Sequence, residues 1–160
     1  MSDERSTEWA VTPIGVVRSG RNEAIDDDWD AVESAIELVA PYAAGAIQGL
    51  DAFSHVEVLF VFDRADPDAL TTGTRHPRGN PDWPAVGIFA QRAKDRPNHV
   101  GLCTCEILAV EGSTVRVRGL DAIDGTPVID LKPYMAEFAP RGTVRQPAWS
   151  HELMDGYWST

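Results

Sequence analysis

Lysine is nearly missing from this 160-residue chain; Lys94 and Lys132 are the whole supply. With arginine included there are 14 bases against 25 acids, a net charge of −11. That balance excludes a broad, sequence-independent grip on phosphate backbones, which needs basic surface. Cysteine is as scarce, with only Cys103 and Cys105. One residue apart, they face the same side of a strand and fit the geometry of a bridge poorly. Two small buried thiols in a reducing compartment are therefore expected. No metal site is expected either, because zinc takes about four ligands at readable spacing. His55, His76, His99 and His151 show no such spacing. No apolar run approaches the ~20 residues of a membrane-spanning helix. Residues 1–9 carry Asp3, Glu4 and Glu8 and no apolar h-region. No secretory signal is read, and a cytoplasmic chain is expected.

Hydrophobic residues make up 43% of the chain, enough for an ordinary core. The length fits one domain, residues 1–160. The periodicity is mostly two. Residues 14–17 form a short apolar run after Pro13, and 35–39 alternate weakly. The strongest strand is 53–62, with Val56, Val58, Phe60 and Phe62 on one face and His55, Glu57, Leu59 and Val61 on the other. Residues 86–90 read as a short buried run. Residues 102–110 and 114–120 flank Glu111-Gly112-Ser113 as a hairpin, and 126–134 are extended. A short helix is expected within 147–157, where Leu153, Met154, Tyr157 and Trp158 supply apolar contacts. Eleven prolines and thirteen glycines punctuate these runs. Many short strands between Gly/Pro turns predict a mainly β fold, a barrel or a sandwich; the expectation adopted is a small single-domain β-barrel with few short helices.

Two segments are rich enough in polar groups to carry chemistry. In the first, residues 124–134, Pro133 keeps Lys132 extended. Asp130, Lys132 and Tyr134 then share one face, and Ile129, Leu131 and Pro133 the other. A carboxylate, an ammonium and a phenol on one rigid element suit a site wall. They equally suit an ordinary exposed strand face. The second segment, 87–102, runs from a buried strand into a basic loop and back into a strand. Arg92 and Arg96 there have the forked geometry that clamps a carboxylate or phosphate. Alternatively, its arginines pair with the acidic excess. Charge is uneven along the chain. Residues 75–96 hold Arg75, Arg78, Arg92, Lys94 and Arg96, whereas 23–37 hold seven acids. A G-x-G-x-x-G after a strand, a P-loop, a G-x-S-x-G and an H-E-x-x-H are all absent, which excludes the common nucleotide, hydrolase and zinc-protease signatures.

These segments carry a family resemblance. Pro13-Ile14-Gly15-Val16-Val17-Arg18-Ser19 resembles the opening strand of the TrmO family (also called YaeB, VirR or TsaA-like). Gly49-Leu50-Asp51-Ala52-Phe53-Ser54-His55 is similar to its G-L-x-x-F-S-H stretch. Gly87-Ile88-Phe89-Ala90, Arg92, Arg96-Pro97-Asn98 and Gly101-Leu102 resemble its G-V-F-A-T-R-S…R-P-N-P-I-G-L block. Residues 124–134 are similar to its D-G-T-P-V-x-D-I-K-P-Y signature. The resemblance covers about 13–137, which implies a domain core there and a C-terminal tail at 138–160. The resemblance implies a homodimeric β-barrel that binds S-adenosylmethionine without a Rossmann fold. It further implies methylation of the N6 amine of threonylcarbamoyladenosine beside the tRNA anticodon. Carried over by motif, the cofactor contacts are His55, Val56, Arg92, Leu102, Asp121, Ala122, Ile123 and Asp124. Asp130, Lys132 and Tyr134 become the candidate catalytic groups, and Arg75, Arg78, Lys94 and Arg96 the candidate tRNA contacts. Departures are also visible. Asp63 stands where the family often has His, Gln91 and Ala93 flank Arg92, and His99 replaces a proline. An acidic stretch at 26–30 replaces a proline-rich one. These differences leave open a methyltransferase of a small molecule or other acceptor, and a non-catalytic cofactor-binding barrel.

Overall fold

A computed structural model describes residues 7–158. The N-terminal acids Asp3 and Glu4 lie outside the described residues. Eight strands are present: β1 (Gly15–Ser19), β2 (Glu33–Leu38), β3 (His55–Val61), β4 (Thr74–Arg75), β5 (Val86–Gly87), β6 (Val100–Glu111), β7 (Thr114–Arg118) and β8 (Pro127–Pro133). Six close into an antiparallel barrel in the order β1-β2-β7-β6-β3-β8, and β4 and β5 form a separate two-stranded ribbon. Closure is short, with Gly15 opposite Val128 and Val16 opposite Pro127. Helix is confined to brief 3-10 turns and one α-helix, α1 (Ala148–Met154).

The barrel follows from alternation. In β3 every second residue turns inward, burying Val56, Val58 and Phe60. Cys103 and Cys105 do the same in β6, and both are free and buried. With Val17, Ile36, Val115, Val117, Leu120 and Val128 they fill one core. Phe62 lies just past β3 but still packs on that core, edge-on to Phe60 at 5.2 Å. The β6–β7 turn places Gly112 at φ +60 in the first central position of a two-residue hairpin, where glycine is favoured.

Two expectations change. Residues 86–90 are a strand end and a 3-10 turn rather than a buried run; Ile88 alone of them is fully buried, and Phe89 is 74% exposed. The simple alternation expected through 129–133 breaks at a register shift, where Leu59 faces Asp130 but Phe60 faces Val128. Ile129 is the extra residue, so Val128 rather than Ile129 enters the core, while Leu131 packs against it.

Candidate functional site

The turn at 123–126 is built by its glycine. Gly125 has φ +82, its N–H donates to the Val17 carbonyl (2.8 Å), and Thr126 N–H donates to Ile123 O (3.2 Å). A turn with positive φ at its third residue takes glycine there. Asp124 locks the turn to β1, because its Oδ1 accepts the Ser19 N–H at 3.0 Å. Its own N–H donates to Arg21 O at 2.8 Å, and Arg64 donates to its carbonyl at 3.1 Å. Ala122 is buried in the core, whereas Asp121 and Ile123 are half-buried.

At the same end of the barrel, the Arg92 guanidinium donates to the Leu102 carbonyl at 2.7 Å. Leu102 itself is 44% exposed, and its inward neighbour Cys103 donates its thiol to Gly119 O at 3.2 Å. Burial, then the charge of Asp121, pushes the Cys103 thiol upward. Cys105 is pushed up to about 12 by burial and then by Asp121. The Asp121 carboxylate also accepts a short hydrogen bond from the Tyr157 hydroxyl. Burial raises that phenol's pKa first and Asp121 raises it further, while Arg92 opposes them through its charge. Arg92, Leu102, Asp121 and Tyr157 therefore form one cluster. Tyr157 was legible only as an apolar contact of a terminal helix; nothing in a sequence signals that it meets an aspartate 36 positions earlier.

The other candidates occupy the outer face of β6-β3-β8. Leu102, Leu59 and Asp130 form one row across the three strands. Two strand spacings set Asp130 about 10 Å from Leu102. Lys132 lies opposite Glu57 and pairs with Asp130 at 2.9 Å. The hydrogen bond to Asp130, followed by its charge, holds the ammonium above its ordinary range. His55 is exposed with its Nδ1 2.7 Å from the Ser54 hydroxyl, and its carbonyl accepts the Tyr134 N–H at 3.0 Å. This pair lies four residues along β3 from the Leu102 row, about 13 Å away. Val56 is fully enclosed in the barrel.

The basic loop is largely spoken for. Arg75 pairs with Asp95 at 3.0 Å, Arg78 with Asp27 at 3.3 Å and Asp26 at 3.7 Å, and Arg96 donates to Gln91 O at 2.6 Å. The Gln91 amide, buried, ties the Arg75 and Val86 carbonyls together. Lys94 is exposed. Among the described residues no group of three or more His, Cys, Asp or Glu is placed to hold a metal ion, and no helix is long and apolar enough to cross a membrane.

The family model for the tRNA-methyltransferase O N-terminal domain matches residues 26–139. The chain belongs to the TrmO family. It is 40% identical over 136 residues to a Methanothermobacter thermautotrophicus protein named "Probable S-adenosyl-L-methionine-binding protein", covering 82% of this chain and 94% of that one. It is 39% identical over 134 residues to the tRNA (adenine(37)-N6)-methyltransferase of Escherichia coli, covering 76% of this chain and 56% of the enzyme. The crystal structure of TrmO from Pseudomonas aeruginosa superposes with a TM-score of 0.74 at 28% identity, over 92% of this chain and 64% of that one. The chain thus spans a little over half of the bacterial TrmO enzyme and nearly all of the archaeal relative. Five of the six barrel strands and the turns around Arg92 and Asp124 lie inside the match; β1 precedes it and Tyr157 lies beyond it.

Proposed function

We propose that this protein binds S-adenosylmethionine at the barrel end marked by Arg92, Leu102 and the 121–124 turn, and methylates an exocyclic amine. On this reading the acceptor is the N6 amine of threonylcarbamoyladenosine in tRNA, beside the anticodon. The observation that carries the proposal is the cluster itself, within a TrmO-family chain. An exposed guanidinium, a carboxylate–phenol pair and an exposed leucine stand together there. They match the parts of a zwitterionic nucleoside. Arg92 suits its carboxylate, the Asp121 side its ammonium or ribose, and Leu102 and Ile123 its adenine. The cofactor supplies an electrophilic methyl group on a sulfonium for in-line displacement.

The protein's share is positioning and charge matching. An exocyclic nitrogen nucleophile must lose a proton, and the Asp130 carboxylate or a Tyr134 phenolate receives it. Lys132 orients the Asp130 carboxylate through their 2.9 Å contact. The protein acts in the cytoplasm as a homodimer, with the exposed Val100, Leu102 and Phe89 side chains supplying apolar surface for the second subunit. Of the candidate RNA contacts in the 75–96 loop, exposed Lys94 is the one best placed to meet a phosphate.

A second reading has its own support. Arg75, Arg78 and Arg96 are held by internal partners, and the chain carries −11 net charge. Both favour a smaller acceptor than tRNA. Mass spectrometry of tRNA nucleosides from a deletion strain separates the two. Loss of the methylated threonylcarbamoyladenosine supports the tRNA acceptor, and an unchanged nucleoside profile refutes it. Full activity in Lys132→Ala and Tyr134→Phe would remove those residues from the mechanism.

A further inference from the structure

Resting on the cofactor reading above, we propose that Tyr157 is a ligand-contacting residue of that site. Its hydroxyl oxygen accepts the α-ammonium of S-adenosylmethionine, and Asp121 is the positioning residue that holds the hydroxyl in place.

The argument starts from the C-terminal segment. After α1, residues 155–158 are fastened across the barrel end at several points. Asp28 N–H donates to Gly156 O at 3.2 Å, and Trp29 N–H to Tyr157 O at 3.0 Å. Trp158 packs edge-on to the Tyr157 ring at 5.0 Å. Further back, Trp83 donates its indole N–H to Glu152 at 2.8 Å. These bonds make the segment a fixed wall rather than a loose end, and they deliver the phenol to Asp121.

That contact decides which atoms remain for a ligand. One carboxylate oxygen of Asp121 takes the phenol's hydrogen bond. The other, Oδ1, is buried with no hydrogen-bond partner among the described residues. With the segment in place Oδ1 is enclosed and Oδ2 is engaged by the phenol, so a ligand meets Asp121 through Tyr157. The phenol has a single O–H, and it is committed to Asp121; what its oxygen has left is acceptor capacity. Arg92 is within electrostatic reach of the same phenol. It uses one guanidinium nitrogen on Leu102 O and keeps other donors free. An amino acid carries its carboxylate and its ammonium on one carbon. Recognising both takes a forked cation and an acceptor at one end of the barrel; Arg92, fixed on Leu102, and Tyr157, fixed on Asp121, supply them.

Calorimetry on the full chain tests this with two ligands, S-adenosylmethionine and 5′-methylthioadenosine, which keeps the adenine, ribose and sulfur but lacks the amino acid. The Tyr157→Phe variant keeps the ring, its packing on Trp158 and its backbone bonds. We expect it to bind S-adenosylmethionine about tenfold more weakly, as for one lost hydrogen bond to a charged donor, and methylthioadenosine as the wild type does. Asp121→Asn should reproduce this pattern, and it carries the same test should Tyr157→Phe not fold. The double variant should be no weaker than the worse single one, because the two groups act as one unit. Equal losses for both ligands would assign Tyr157 to wall packing alone and overturn the proposal. Unchanged binding overturns it too, and tighter binding would mean that the phenol competes with the ligand. A wild type that binds neither ligand removes the cofactor reading and this inference together. A wild type that binds, with Tyr157→Phe unaltered, removes only this one.

Discussion

Gly101 sits opposite Phe60 in the β3–β6 ladder and leaves the room that the phenyl ring fills. A Cβ added there would lie 2.5 Å from two of the ring carbons. Carbon atoms rest at about 3.5–4.0 Å, so ring or strand must move by roughly 1 Å. The ring has nowhere to go; it is 1% exposed and braced edge-on by Phe62 at 5.2 Å. Overpacking of this kind costs about 1–3 kcal/mol. Alanine returns about 0.5–1 kcal/mol of that through its smaller backbone entropy loss. Gly101→Ala should therefore lose about 0.5–2 kcal/mol net, or roughly 0.3–1 M in urea midpoint at a typical slope of about 2 kcal/mol/M. The Phe60→Leu background removes the clashing ring edge. There the same Gly101→Ala change should be neutral or slightly stabilising, and the double-mutant cycle should report coupling of about 1 kcal/mol or more. Leu102, whose carbonyl Arg92 holds, follows Gly101 directly, so the single variant should also lose cofactor affinity and the double variant recover part of it. Urea unfolding followed by tryptophan fluorescence reads the stabilities. If Gly101→Ala costs the same in both backgrounds, the steric account of this position is wrong.

Arg92→Lys should lose S-adenosylmethionine affinity by tenfold or more in calorimetry, because a single ammonium cannot hold the Leu102 carbonyl and a carboxylate with forked geometry. Cys103 and Cys105 should resist a thiol reagent at pH 8 in the native protein and react fully in guanidinium, since burial disfavours both thiolates. Both folded pKa values are raised, so this stabilisation is complete below the unfolded thiol value of about 8.5 and is lost as pH climbs toward about 12 for Cys105. Unfolding free energy should fall by about 2 kcal/mol per thiol by pH 10, and Cys105→Ala should flatten that slope. Asp95→Asn leaves the half-buried Arg75 without its partner and should cost about 1–3 kcal/mol in thermal unfolding, whereas Arg78→Ala, on the surface, should cost less than about 1 kcal/mol.

The parts of this fold that a reader can see in the sequence are those that local chemistry specifies alone. The alternation of Val56, Val58 and Phe60 announces β3 because a half-buried strand has no other way to sort its side chains. Gly112 and Gly125 mark turns because positive φ leaves few alternatives. The bulge at Ile129 is invisible, since the extra residue is defined by what β3 places opposite it and not by its own type. The exposed ring of Phe89 was misjudged for a related reason: an apolar run says nothing about its outer covering. The site divides the same way. Arg92 and the Asp124-Gly125 turn stood out by their residue types and Asp121 only through the family resemblance, but the contact between Asp121 and Tyr157 depends on the path of a terminal segment that no local pattern encodes.

The charge pattern shows how two sequence observations can be one structural fact. The acidic run at 23–37 and the basic run at 75–96 look like separate surfaces, one repelling an anion and one inviting it. In the folded chain Arg78 reaches Asp26 and Asp27, while Arg21 donates to the carbonyls of Asp27 and Asp28 and lies 4.0 Å from the Trp29 ring centre. The runs meet at Arg78, and Asp95 neutralises Arg75 inside the loop. What is left facing outward is Arg92 beside Leu102 and Lys94 two residues on. A guanidinium and one ammonium are enough to orient a small zwitterion, but few for an RNA stem, whose grip scales with the number of phosphates neutralised. If tRNA is the acceptor, with Arg92 on the cofactor and Lys94, Arg141 and Arg145 exposed, its affinity for one subunit should vary with salt by a slope of no more than about three. A much steeper slope would require basic surface from elsewhere, such as the second subunit of the proposed dimer.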